Sequence, residues 1–137
     1  MKSTDIKEVE NKQGSYLEAI FKLQEVLRIK YKEIAQRKGF YIPGGSIDLH
    51  NALHQGYLKQ LVFCCISELI EATECLRNKA WKQTEVLTDI DHFYEELVDA
   101  LHFYVELCLE VGLTPQKLYE LYSKKEKVNE FRIRSNY

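Results

Sequence analysis

Two acidic pairs, Glu68-x-x-Glu71 and Glu96-x-x-Asp99, interrupt stretches that are otherwise almost continuously apolar, and any fold open to this chain must accommodate them. Residues three apart share a helix face with their Cβ atoms about 5–6 Å apart, so each pair aims two like charges at one point. The first pair lies in Leu61-Val62-Phe63-Cys64-Cys65-Ile66-Ser67-Glu68-Leu69-Ile70-Glu71-Ala72. The second runs into Leu97-Val98-Asp99-Ala100-Leu101-His102-Phe103-Tyr104-Val105. Both segments read as helices buried nearly all round. Carboxylates there are costly unless paired, protonated or bound to metal, and hard cations such as Mg²⁺ prefer oxygen ligands. One solution is a cage in which Glu68, Glu71, Glu96 and Asp99 surround one or two divalent ions. The other is that the acids face solvent on amphipathic helices.

The rest of the chain supplies a frame for either solution. At 137 residues with 45% hydrophobic and 29% charged content, it fits one domain. Nineteen basic residues against 21 acidic ones give no global field for a nucleic acid polymer or an anionic membrane. No apolar run approaches the roughly 20 residues of a membrane span, and the first residues lack a signal-peptide core. A cytoplasmic, soluble protein is the expectation. Cys64, Cys65, Cys75 and Cys108 fall in apolar helical segments without CxxC spacing and read as reduced core residues.

Residues 1–14 are polar and read as a flexible lead-in. Apolar residues then recur at spacings of three and four from Tyr16 to Ile34, predicting a helix over about 16–37 that Lys38-Gly39 ends. Residues 39–46 hold breakers and turn formers and could act as a lid, with a short helix allowed near 48–56 and Asp48 as its cap. Further helices are predicted over about 57–79 and 90–111, the latter capped by Thr88 or Asp89 and stopped by Gly112. Thr114-Pro115 starts a fourth, about 115–128. Residues 129–137 read as a tail. Four strong helices, short connections and no β-period indicate an all-α bundle.

If the four acids do hold Mg²⁺, the ion offsets their repulsion, neutralises phosphate oxygens and acidifies a water, which suits pyrophosphate cleavage. Order along the chain sharpens this. After Glu68, Glu71 and Glu74 come Lys79-Ala80-Trp81, then Glu96-Leu97-Val98-Asp99-Ala100-Leu101-His102-Phe103, then Tyr122-x-x-Lys125-x-x-x-Asn129-x-x-Arg132-x-x-x-x-Tyr137. Read with Phe21-Lys22-Leu23-Gln24-Glu25-Val26-Leu27 upstream, this set resembles the dimeric dUTPases of the all-α nucleoside triphosphate pyrophosphatase superfamily, which also holds the MazG-like enzymes.

The resemblance implies hydrolysis of dUTP to dUMP and pyrophosphate, with two or more Mg²⁺ ions, or Mn²⁺, held by Glu68, Glu71, Glu96 and Asp99. Glu71 or Glu68 would be the general base. Gln24 would contact the nucleobase, Trp81 would pack on it and Lys79 would hold phosphate. Lys125, Arg132 and Tyr137 would close over the phosphates while Asn129 reaches the sugar, making 129–137 a substrate-closing tail. A homodimer or higher homo-oligomer is implied as well. The sequence departs from the family pattern at Arg132-Ile133 and Asn136-Tyr137, where Arg-Gln and Gly-Tyr are usual, and in residues 39–56.

Other readings use the same residues differently. A MazG-like pyrophosphatase acting on dCTP or another nucleotide would keep the carboxylates and change the base pocket. A di-iron carboxylate protein would need Glu-x-x-His motifs, whereas here His102 follows Asp99 and His92 follows Asp89. His50, His54 and His92 carry no motif. A helical interaction module would retain the fold without catalysis.

Overall fold

The computed structural model describes residues 15–135, and within them the chain forms four α-helices: α1 (Tyr16–Arg37), α2 (Ala52–Glu74), α3 (Ile90–Glu110) and α4 (Pro115–Arg134). The polar lead-in expected over residues 1–14 and the tail residue Tyr137 lie outside the described residues. All four starts are capped by side chains that occupy orphan backbone N–H groups. Ser15 Oγ accepts from Glu18 N at 3.1 Å and Asp89 Oδ1 from His92 N at 3.1 Å. Thr114 Oγ1 accepts from Lys117 N at 3.1 Å, with Pro115 at the first position, as its fixed φ favours.

Two helices end in the same way. Gly39 and Gly112 take φ of +83° and +76°, which other residues rarely adopt. Each donates to the carbonyl three residues back, Gln36 and Leu109, while the next residue reaches further back, Phe40 to Ala35 and Leu113 to Cys108. This is the Schellman arrangement.

Three boundaries differ from the sequence expectation. No separate helix occupies 48–56: α2 begins at Ala52 rather than 57, because Asn51 and not Asp48 is its cap. Asn51 Oδ1 accepts from both Leu53 N and His54 N, at 2.9 and 3.1 Å. Asp48 instead folds the preceding turn, accepting from His50 N at 2.9 Å. Helix α2 ends at Glu74 rather than 79, and the following connector is closed by Asn78, whose side chain donates to Val86 O at 2.9 Å and accepts from Val86 N at 2.7 Å. Helix α4 runs to Arg134, past the expected 128, so most of the expected tail is helix.

Helix α3 is the centre of the bundle. It packs along α2, meets α1, and α1 in turn meets α4. Small residues let α2 and α3 approach: Ala72 and Ala100 are buried, and Cys65 Sγ donates to Ala100 O at 3.3 Å. Where α1 crosses α3, Phe21, Val105 and Cys108 form a buried cluster flanked by Leu17, Ile20, Leu109, Leu113 and Leu118. The expectation that the two acidic helices are buried nearly all round is not met within one chain. Phe63, Ile66 and Ile70 on α2 and Leu97, Leu101 and Tyr104 on α3 remain exposed, because one chain has too few helices to cover every apolar face. All four cysteines are free thiols; Cys75 and Cys108 are buried and Cys64 and Cys65 partly so.

Candidate active site

The close packing of α2 on α3 brings the two acidic pairs together. Carboxylate oxygens of Glu68, Glu96 and Asp99 all lie within 4.8 Å of one another. Glu71, one turn beyond Glu68, is exposed and stands outside this group of three. Glu96 is buried: its Oε1 lies 3.2 Å from His92 Nε2, while its Oε2 has no hydrogen-bond partner. A buried carboxylate oxygen without a partner is expensive, and a cation among three carboxylates would satisfy it. The same crowding acts on Glu68. The adjacent Glu96 carboxylate first, then burial, then Glu71 and the charge of Asp99 push its pKa up to about 7.

An open pocket of about 530 Å³ leads away from the acids. Glu68 and Asp99 line it together with Gln24, Leu27, Arg28 and Tyr31 of α1, Leu61 of α2, and His102, Phe103 and Glu106 of α3. A few polar groups among apolar and aromatic walls are what a small-molecule site needs.

In the pocket wall and behind it lies a polar network that the sequence reading did not assign. Arg28 Nε donates to Glu106 Oε1 at 3.1 Å and its Nη2 to Glu110 Oε1 at 2.6 Å. Lys32 Nζ and Tyr57 Oη also reach Glu110 Oε1, at 2.5 and 3.1 Å. Burial, and hydrogen bonding with Glu110, raise the Glu106 pKa; burial acts the same way on Glu110, but Lys32 and Arg28 outweigh it and lower the result. Tyr57 is pushed above its ordinary value by burial and by the Glu110 charge. A signal was present in the spacing. Gln24, Arg28 and Lys32 repeat every four residues on α1, and Asp99, His102, Glu106 and Glu110 form one stripe on α3.

The other expected substrate residues are elsewhere. Lys79 and Trp81 stand on the connector after α2, with Lys79 Nζ 5.5 Å from the centre of the exposed Trp81 ring. Lys125, Asn129 and Arg132 lie on α4, and neither they nor the connector pair line the pocket.

Three carboxylates at one end of a pocket, carried by an all-helical bundle, are compatible with the all-α hydrolases of nucleotides. The family model described as dUTPase matches residues 16–117, and the chain belongs to the all-α dUTPase family. It is a dUTP diphosphatase-like nucleotide pyrophosphohydrolase, and enzymes of this family generally depend on Mg²⁺. Searches of curated proteins and of solved structures gave no match. Among the described residues, no helix is long and apolar enough to cross a membrane.

Proposed function

We propose that this chain hydrolyses dUTP to dUMP and pyrophosphate in a Mg²⁺-dependent reaction at the Glu68–Glu96–Asp99 end of the pocket. The observation that carries this reading is the unpartnered, buried Oε2 of Glu96 among three converging carboxylates, continuous with a pocket that can take a nucleoside. Glu68, Glu96 and Asp99 fit a hard divalent cation, and Glu71 would join them from the exposed side. When bound, Mg²⁺ (or Mn²⁺) would supply charge neutralisation for the phosphate chain and acidify a water. Glu68 or Glu71, ionised when the metal is bound, would take the proton from the attacking water. The new bond forms from that water's oxygen to phosphorus, the P–O bond joining the α- and β-phosphates breaks, and dUMP and pyrophosphate are released.

Gln24 and Phe103 would meet the base. Lys79, Trp81, Lys125, Asn129, Arg132 and Tyr137 would complete the site by closing over the phosphates and sugar or by reaching the pocket of a second subunit. The exposed stripes on α2 and α3 support a homodimer. Free thiols suit a reducing, cytoplasmic setting. An all-oxygen group of three acids favours a hard cation over a di-iron site.

The test is a panel of nucleoside di- and triphosphates with Mg²⁺, following monophosphate, pyrophosphate and phosphate. Release of dUMP and pyrophosphate from dUTP is expected. Cleavage of no nucleotide would overturn the reading, and preference for dCTP or a purine would overturn only the substrate.

A further inference from the structure

Gln24 is buried, and helix α3 engages both ends of its amide. Its Nε2 donates to Glu106 Oε2 at 3.1 Å, and its Oε1 lies 2.8 Å from Nδ1 of His102. Both Glu106 oxygens act as acceptors, Oε1 from Arg28 Nε at 3.1 Å and Oε2 from Gln24 Nε2, which holds the amide nitrogen of Gln24 towards Glu106 and turns the amide oxygen towards His102. That oxygen cannot donate, so Nδ1 of His102 must carry the proton. In the neutral ring, Nε2 is then left as an acceptor. Gln24, His102 and Glu106 all line the pocket, beside Phe103.

We infer that Glu106 is a positioning residue for base specificity: through Gln24 it fixes His102 in the Nδ1–H tautomer, so that the pocket offers a ring-nitrogen acceptor to a base bearing an N–H donor. The inference rests on the reading of this pocket as the base site. Uracil carries a hydrogen on its ring nitrogen 3, whereas cytosine carries a lone pair there. Lone pair facing lone pair leaves two desolvated acceptors unsatisfied, so the relay selects dUTP over dCTP. Glu106 acts only through Gln24 and His102.

The experiment has two arms on the full chain. Nitrogen-15 NMR of His102 reads the tautomer without nucleotide, and kcat/KM for dUTP and dCTP with Mg²⁺ reads the preference, in the wild type and in Glu106→Gln. The wild type is expected to show Nδ1 protonated, the opposite of the form a free histidine side chain favours. In Glu106→Gln the amide of Gln24 loses its orientation, the Nε2–H form appears, and the dUTP-over-dCTP ratio falls by about tenfold or more, through KM rather than kcat. A wild-type ring protonated at Nε2 overturns the inference. So does a changed tautomer with an unchanged ratio. If Glu106→Gln does not fold, the wild-type spectrum decides the tautomer, and Gln24→Met, expected to restore the Nε2–H form, tests its cause. A wild type that cleaves neither nucleotide overturns the functional reading and the specificity claim with it, while the tautomer relay stands or falls on the spectrum alone.

Discussion

At the scale of single residues, the candidate site is three converging carboxylates, Glu68, Glu96 and Asp99, with one buried oxygen left without a partner. Glu96→Gln replaces the unpartnered oxygen end of a buried side chain with a neutral amide, removing repulsion against Glu68 and Asp99. The variant is expected to melt no lower than the wild type without metal, to lose the rise in Tm that Mg²⁺ gives the wild type, and to lose more turnover than the roughly 10–100-fold typical of an outer ligand partner. Thermal melts with and without Mg²⁺, beside the nucleotide assay, check all three. Glu68 predicts a pH dependence. Its folded pKa of about 7 lies above the ordinary 4.5, so between those values the folded state holds more proton than the unfolded one. Metal-free stability contributed by this group therefore falls as pH rises from 4.5 to 7, and Glu68→Gln should flatten that slope in chelator-treated melts. Glu68, Glu96 and Asp99 were legible in the sequence because like charges three apart on apolar helices are a physical conflict visible without coordinates. Glu106 and Glu110 were not assigned, since their partners Gln24, Arg28 and Lys32 are about 80 positions away, and only the crossing of α1 over α3 brings them together.

At the scale of elements, that crossing is fastened by Arg28. It is four-fifths buried and bonds two carboxylates on α3, so Arg28→Met would leave Glu106 and Glu110 without their shared counter-charge. A loss of about 3 kcal/mol in urea-unfolding stability is expected, the usual result of removing one partner from a buried ionic group. Lys32, which reaches Glu110 from a more exposed position, keeps the loss from being larger. Helix starts were readable where a cap had one candidate, as at Thr114-Pro115. They were misjudged at α2, where Asp48 and Asn51 both suit a cap and the choice depends on which side chain meets the free N–H groups. The end of α2 was misplaced for a related reason. Nothing local in Cys75-Leu76-Arg77-Asn78 stops a helix, and the connector is held by a bond between Asn78 and Val86, eight residues away.

At the scale of the whole molecule, the uncovered apolar stripes predict association. Phe63, Ile66 and Ile70 share one face of α2, and Leu97, Leu101 and Tyr104 one face of α3. Sedimentation at micromolar concentration is expected to give at least a dimer, and Ile66→Glu to shift it towards the 16.2 kDa single chain with loss of activity. Helix α3 has a further consequence for what the molecule accepts. Asp99 at the acids and Glu106 behind Gln24 stand two turns apart on one rigid rod, about 10 Å along its axis. In the proposed binding mode the helix is thus a ruler, fixing how far a nucleotide's phosphates fall from its base. A purine, with its second ring, would seat its triphosphate at a different mark. Purine nucleotides are therefore expected to compete with dUTP in inhibition assays without being cut.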